Sequence, residues 1–492
     1  MENTLYYGDN LPILRRKDYI PDNSIDLIYL DPPFNSKKDY NILFKEPTGE
    51  LSEAQITAFE DSWHWTQETE KTFDEIINTA PTTNIAEMMR AFRQFVGHND
   101  VMAYLTMMCI RLIELKSVLK KTGSIYLHCD PTASHYLKIL MDTIFGKENF
   151  RNEIVWGYSG GGIPTKDFPR KHDIILRYTK SNEYYYKPVY KAYTKGTIER
   201  GRTQVKGDIP LNKEGTPIPD WWFSNLECDK CGEKLSSNIK RIASPTDPEN
   251  LGYPTQKSVE LLSRIIEVSS KEDDIVLDPF CGCGTTITAS QILNRKWIGI
   301  DITHLAINLI KARLKGMYGL EPKKDYQVIG EPEDLAGALE LASQNRYQFQ
   351  WWASSLIGAI PYGDKKKGAD TGIDGIFYFS DEKGKHKKVI VQIKSGKVGV
   401  KDIRDLASVI DREKAEISVF ITLESPTREM RKEAIIKGLY ENPSGRKYPR
   451  IQIKTIEELL NNPHLDIDIY RPAMFKQAKR VEGTNVDLPF SE

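Results

Sequence analysis

The chain is short of several things that would fix its class at once. It has six cysteines in 492 residues, too few for a disulfide scaffold and suited to a reducing compartment. It has no apolar run near the roughly 18 residues a membrane helix needs. The longest candidate, Met102 to Ile110, is nine residues and contains Thr106. The first residues are polar or acidic early (Glu2, Asn3, Thr4, then Gly8 and Asp9), so no signal peptide is expected. These absences point to a cytoplasmic protein with no membrane partner. Internal repeats are also missing. So is a net charge: Lys+Arg is 68 and Asp+Glu is 69, a balance of −1.

What is present is a folded composition, 40% apolar and 10% aromatic, which excludes a disordered chain. The length suggests about three domains. The neutral total hides segregation. Residues 50–100 hold ten acidic and three basic side chains, residues 162–206 eleven basic and four acidic, and residues 361–401 ten lysines and five acids. Such runs make local basic faces on a neutral protein, or simply solvated surface.

The chain opens as strand, turn and helix: Leu5-Tyr6-Tyr7, then Gly8-Asp9-Asn10, then Leu11, Ile13 and Leu14. Ile25 to Leu30 is dense in apolar residues, as a buried parallel strand would be. It runs into Asp31-Pro32-Pro33-Phe34. Two prolines stop helix and sheet alike, so this is a rigid loop at a strand's carboxyl end, where open α/β sheets bind ligands. Residues 51–120 read as mostly helical, acidic first and then amphipathic. Gly123 to His128 reads as another core strand. Residues 158–250 are rich in Gly, Pro, Lys and Tyr, with six tyrosines from Tyr178 to Tyr193. A helix over Val259 to Val268 precedes a strand over Asp274 to Leu277. The loop Asp278-Pro279-Phe280-Cys281-Gly282-Cys283-Gly284-Thr285-Thr286, a helix and the strand Trp297 to Ile300 follow, with Asp301 closing the βαβ unit.

A Gly-x-Gly loop between strand and helix lets a ligand approach the backbone at a helix N-terminus. Asp301 stands 17 residues after Gly284, near the ~20 expected of an acid that binds ribose hydroxyls. Ile287 occupies the place of a third glycine, so a ligand with a ribose but no pyrophosphate fits better. The Asp31 carboxylate and the Pro32 carbonyl are both acceptors for an exocyclic amino group, and Phe34 offers a stacking face.

These two motifs resemble the amino-methyltransferases that modify adenine N6 or cytosine N4 in DNA. The order of catalytic loop, variable basic region and cofactor glycines resembles the β-class arrangement. Gly8-Asp9-Asn10, Gly123 to Asp130, Phe150 to Trp156 and Tyr253-Pro254-Thr255-Gln256-Lys257 match as well. Ser258, where the family usually has proline, and Cys283, where it often has serine, depart from the pattern. The resemblance covers about residues 4–316. It implies a circularly permuted, Rossmann-like α/β fold that uses S-adenosylmethionine, with residues 1–325 as the methyltransferase and 158–250 as its target-recognition region on double-stranded DNA. In it Asp31 and Pro32 hold the target amino group, Phe34 stacks on the base, and Pro33 belongs to the same catalytic loop. Asp278, Phe280, Gly282, Gly284 and Thr285 line the methionine part of the cofactor, Asp301 binds its ribose and Asp9 lies near its adenine. Thr255 and Lys257 close the pocket. Asp31 at the head of the loop resembles adenine enzymes; cytosine-N4 specificity is the alternative. The helices of 51–120 offer a face for a homodimer.

Cys228 and Cys231 form half of a zinc ribbon, and a closed zinc site needs four ligands, so zinc is not expected. After a connector (326–344), residues 345–480 form a smaller α/β unit. Gly372-Ile373-Asp374-Gly375 precedes a strand whose Val389, Val391 and Ile393 share one face, so Gln392 and Lys394 share the other. The pattern Gly-Ile-Asp-Gly with Gln-x-Lys resembles the Mrr-like branch of the PD-(D/E)XK endonucleases, with Gln392 where an acid is usual. The resemblance implies Mg2+ on Asp374 and the Ile393 carbonyl, with Lys394 orienting water. The whole then reads as a restriction–modification protein, an adenine methylase fused to a nuclease. A non-catalytic DNA-binding C-terminal module is the alternative, and a purely structural DNA-binding protein a remote third.

Overall fold

A computed structural model describes residues 1–33, 39–45, 51–60, 64–158, 164–193, 195–200, 211–224, 239, 242, 247–253, 255–362, 372–382 and 385–467. Phe34, Cys228, Cys231 and Pro254 lie outside the described residues, so the readings that rest on them are not addressed. Among those described, no helix is long and apolar enough to cross a membrane.

Nine strands form one sheet: β1 (Thr4–Tyr7), β2 (Ile25–Leu30), β3 (Leu119–Cys129), β4 (Phe150–Tyr158), β5 (His172–Thr179), β6 (Trp221–Ser224), β7 (Ile275–Asp278), β8 (Lys296–Asp301) and β9 (Gln327–Ile329). Their order is β6-β4-β5-β3-β2-β7-β8-β1-β9. Neighbours are parallel, except that β5 runs antiparallel between β3 and β4. Strand β2 is apolar almost throughout because both faces are covered. Ile25, Ile28 and Leu30 enter one core and Leu27 and Tyr29 the other. Each such buried side chain contributes roughly 1.5–3 kcal/mol.

The first core is roofed by α1 (Asn10–Arg15), α2 (Gln67–Thr79), α3 (Thr83–Val96), α4 (Asp100–Val118) and α5 (Pro131–Phe145). The opposite face carries α6 (Val259–Ser269) and α7 (Thr285–Ile292), and α8 (His304–Tyr318) follows β8. Helix α4 is buried continuously from Met102 to Ile110, since α2, α3 and α5 pack around it. It is less one-sided than its sequence suggested.

One expectation is corrected, and two segments carry more regular structure than their sequence suggested. Residues 51–60 are not helical: Leu51–Glu60 pairs as a strand with Asp39–Lys45, in keeping with the two-residue spacing of Ala54, Ile56 and Ala58. Within the segment 158–250, β5 and β6 belong to the sheet. Ile174, Ile175 and Leu176 are buried in β5, and three apolar residues in a charged segment are too few to announce a core strand. The connector 326–344 is structured at both ends. Strand β9 edges the first sheet, and α9 (Leu335–Gln344) packs Ala338 and Leu341 into the second unit.

That unit has the strand order β10 (Ile360–Pro361), β11 (Gly375–Glu382), β12 (Lys385–Lys394), β13 (Ile417–Thr422) and β14 (Ile451–Thr455). Strand β11 is antiparallel to both neighbours, while β12, β13 and β14 are parallel. One face, including Val389, Val391 and Ile393, packs on α9, α10 (Arg346–Leu356) and α13 (Ile456–Asn461). The other packs on α11 (Val400–Arg412) and α12 (Arg428–Ile436). The expected alternation of β12 is observed.

Candidate active site

The chain leaves β2 toward one side of the sheet and β7 toward the other, so their adjacent carboxyl ends flank a crevice where such sheets hold ligands. A cavity of about 620 Å3 opens there. It brings together Asp9, Asp31, Pro32, Pro33, Thr255, Lys257, Asp278, Phe280, Gly282, Thr285 and Asp301. Of the described residues expected at this site, Gly284 alone does not line it. Its φ of +74° caps α7, and a Cβ there would sit 2.7 Å from Ile310 Cγ1. Gly284 serves the packing of α7 on α8, whereas Gly282, at φ +48°, faces the ring of Tyr253 in the cavity wall.

Asp31 is paired through Oδ2 with Lys257 Nζ at 2.5 Å. Its Oδ1 is buried and accepts no hydrogen bond from the described residues. A buried acceptor left open is costly unless a ligand donates to it. Asp278 accepts from Phe280 N–H at 3.0 Å and Thr286 Oγ1 at 2.5 Å. Burial pushes its carboxyl up to about 7, the hydrogen bonds opposing. Asp301 accepts from Gly282 N–H at 2.9 Å on Oδ2, and from Thr303 N–H and Oγ1 at 2.9 and 2.8 Å on Oδ1. Burial raises it to about 6. Since a carboxylate offers about four acceptor sites, Oδ2 retains room for a further donor such as a ribose hydroxyl. Thr285 is turned to the Lys257 carbonyl at 3.2 Å, tying α7 to the segment that bears Lys257.

Asp9 is the N-cap of α1 and also accepts from Arg111 Nη2 at 2.7 Å. Arg111 Nε donates to Asn10 Oδ1 at 2.6 Å, and Asn10 Nδ2 to the Pro279 carbonyl at 2.7 Å. Arg111 thus ties the Asp9 loop to the Asp278 loop. Burial lowers its pKa, with Asp9 opposing. The sequence reading missed it; the available signal was one cation among Met107, Ile110, Leu112 and Ile113 on an apolar helix.

Three tyrosines of the basic segment, Tyr178, Tyr184 and Tyr186, are engaged within the protein. Arg177 lies 4.6 Å from the Tyr186 ring centroid and 5.5 Å from that of Tyr184, and Arg151 lies 4.4 Å from Tyr184. Tyr178 is fully buried.

In the second unit, Asp374, Gln392 and Lys394 gather where β11 begins and β12 ends. Asp374 Oδ2 accepts from Ile393 N–H at 2.7 Å, and Oδ1 accepts from Gln350 Nε2 at 2.8 Å. Gln392 is 5% exposed, and its Oε1 has no hydrogen-bond partner among the described residues. No group of three or more His, Cys, Asp or Glu side chains is arranged to hold a metal ion among the described residues.

An α/β sheet with an acid-lined cavity between two adjacent carboxyl-terminal loops belongs to the open-sheet class that binds ligands at this position. The family model of DNA methylases (N6_N4_Mtase) matches residues 25–312, more than half of the chain. The chain belongs to this DNA methylase family. A second family model, described as NACHT-associated inactive restriction endonuclease 1, matches residues 349–461. The type II methyltransferase M.EcaI of Enterobacter cloacae is 30% identical over 271 residues, covering 46% of this chain and 60% of that protein. The type II methyltransferase M.BamHI of Bacillus amyloliquefaciens is 28% identical over 334 residues, covering 66% of this chain and 59% of that one. The chain therefore spans about 60% of the length of these curated relatives. Among solved structures, PvuII DNA methyltransferase (cytosine-N4-specific) gives a TM-score of 0.36 at 14% identity, covering 63% of this chain and 86% of that one.

Proposed function

We propose that the chain transfers a methyl group from S-adenosylmethionine to the exocyclic amino nitrogen of adenine in double-stranded DNA, as the modification half of a restriction–modification system. The observation that carries this reading is Asp31 Oδ1, a buried acceptor left open in the same cavity as Asp278 and Asp301. The residues fit the cofactor: Asp301 for ribose hydroxyls, the Asp278–Phe280–Gly282 loop and Thr285 for the methionine part, and Lys257 and Thr255 as the closing segment. When bound, S-adenosylmethionine supplies an electrophilic methyl group. The chain supplies position. Asp31 Oδ1 and the Pro32 carbonyl accept the two amino hydrogens and turn the nitrogen lone pair toward the methyl carbon. Such orientation lowers a barrier by up to about 7–11 kcal/mol. The base must first leave the duplex at a cost of a few kcal/mol, and phosphate contacts from the basic segment would hold the DNA while it does. Adenine is preferred over cytosine on the resemblance of the Asp31 loop.

For the C-terminal unit we favour a DNA-binding module over a Mg2+-dependent nuclease. Gln392 stands where an acid would be, and the Asp374 carboxylate already accepts from Gln350 and Ile393.

One experiment addresses both. Plasmid DNA is incubated with the protein and tritiated-methyl S-adenosylmethionine in EDTA, and separately with Mg2+ alone. Label recovered as N6-methyladenine, abolished by Asp31→Ala, is expected; label in cytosine would sink the adenine assignment, and no label the methylase reading. No cutting is expected in Mg2+. Cutting that Asp374→Ala abolishes would restore the nuclease reading.

A further inference from the structure

Three polar side chains unused above stand in a row on adjacent strands. Tyr29 lies on β2, His128 on β3 and Asp173 on β5. The Tyr29 hydroxyl meets His128 Nδ1 at 2.8 Å, and His128 Nε2 meets Asp173 Oδ2 at 3.2 Å. Tyr158 donates to Asp173 Oδ1 at 3.0 Å, and the Trp156 ring sits edge-on to the imidazole, centroids 5.8 Å apart. The inner end of the row borders the cavity, since Tyr29 is part of its wall and lies two residues before Asp31. His128 is fully buried, while the Asp173 side chain is 16% exposed.

Chemistry fixes the direction of this row. A carboxylate only accepts, so His128 Nε2 carries the hydrogen that it donates to Asp173. In the neutral imidazole His128 Nδ1 is then an acceptor, and the Tyr29 hydroxyl donates to it. The Tyr29 oxygen is left with lone pairs to offer the cavity. Apolar side chains would fill the same space with no desolvation cost, so three ionisable groups in series call for a use. The arrangement has the logic of a catalytic triad, in which a carboxylate fixes the tautomer and stabilises the imidazolium that forms.

Methyl transfer creates the need. As the amino lone pair forms the new N–C bond, the C–S bond breaks and its electrons stay on sulfur, giving S-adenosylhomocysteine. The methylated nitrogen is then cationic and carries one proton too many. Resting on the methyl-transfer reading above, we propose that Tyr29 is a further catalytic residue and that His128 and Asp173 position and support it. The Tyr29 oxygen takes that proton while its own hydroxyl proton passes to His128 Nδ1. The imidazolium is held against the Asp173 carboxylate. When the products leave, the same steps reverse and return the proton to water in the emptied cavity. Asp31, tied to Lys257, remains the acceptor that orients the amino group.

The test uses the full chain with plasmid DNA and tritiated-methyl S-adenosylmethionine at saturation. First-turnover methylation and cofactor Kd are measured for wild type, Tyr29→Phe and His128→Gln. The expected result is a fall in rate of about a hundredfold with the cofactor Kd within twofold of wild type. The Tyr29→Phe rate should also rise with imidazole buffer concentration while the wild-type rate does not. Should His128→Gln fail to bind cofactor, Tyr29→Phe, which removes one oxygen, decides. A Tyr29→Phe rate within twofold of wild type overturns the proposal, as does a loss of rate that follows a loss of cofactor binding and is indifferent to buffer. Absence of label with the wild-type chain overturns the methylase reading and the relay with it; label with wild type but unchanged variants removes the relay alone.

Discussion

Asp278 is 4% exposed and shares its cavity with Asp31 and Asp301. Burial lifts it from 3.8 to about 7, and Asp301 to about 6. A carboxyl whose folded value lies above its unfolded value binds its proton more tightly in the fold. Neither group costs stability below about pH 4, where both states are protonated. The cost grows as pH rises toward 7 and is full above it. Asp173 and Glu331, both lowered to about 2, act oppositely: their stabilisation is present above about pH 4.5 and is lost as pH falls toward 2. They therefore leave the window between pH 4.5 and 7 to the first pair. Asp278→Asn should raise the ligand-free unfolding midpoint at pH 8, by an effect on the order of 2–4 kcal/mol, and flatten its decline between pH 5 and 8. Thermal unfolding at both pH values is the check. An equal fall at both would mean that the bonds to Phe280 and Thr286 outweigh the buried charge. Asp31 and Asp278 were legible in the sequence because each ends a short apolar run and heads a Pro- or Gly-marked loop, and Asp301 because it ends the second strand of the βαβ unit 17 residues after Gly284. Arg111 was not, since its partners Asp9 and Asn10 stand about a hundred residues away and nothing local announces them.

Helix α7 shows at the next scale why one motif glycine differs from another. Gly284 sits at its N-terminus with φ +74°, and the Cβ of an alanine would meet Ile310 Cγ1 at 2.7 Å. Gly284→Ala should cost about 2–5 kcal/mol, from roughly 1–2 of left-handed backbone strain and 1–3 of overpacking. Denaturant unfolding reads this directly. Gly282→Ala should cost less stability, because its Cβ would stand 3.2 Å from the Tyr253 ring edge, and should chiefly weaken cofactor binding. Identical losses for the two would refute the division of labour. Strands read well where both faces are buried, as in β2, and where alternation is sustained, as in β12. They read badly in β5, whose burial comes from being wedged between β3 and β4 rather than from a long apolar run. The strand at 51–60 was lost among acidic neighbours that favour a helical reading. A resemblance carried by loops named residues that line one cavity, but it left open which side chains of the basic segment face inward, and Tyr184 and Tyr186 are held by Arg177.

At the scale of the molecule, α10 joins the two units. Its Trp351 is 6% exposed and packs in one cluster with Tyr253, Cys283, Leu305 and Leu309, of which Tyr253 and Cys283 also wall the cavity. One residue earlier, Gln350 donates to Asp374 at 2.8 Å. Two residues before that, Gln348 Oε1 accepts from His304 N–H at 3.1 Å, near the start of α8. A single short helix therefore touches the cavity wall, the α8 N-terminus and the Asp374 site, each through a different side chain. Rigid packing transmits displacement, because close-packed side chains have few voids to absorb it. Trp351→Ala removes the largest piece of this contact and should destabilise the chain by about 3–5 kcal/mol, the range for a buried aromatic truncated to alanine. It should also weaken S-adenosylmethionine binding, because Tyr253 loses its backing and the Gly282 loop packs on Tyr253. Gln350→Ala, which removes one hydrogen-bond donor to Asp374 and leaves Trp351 in place, should leave cofactor affinity near wild type. Calorimetric titration of both variants with the cofactor separates the cases. Unchanged affinity in Trp351→Ala would mean that the C-terminal unit rests on the methylase domain without supporting its cavity.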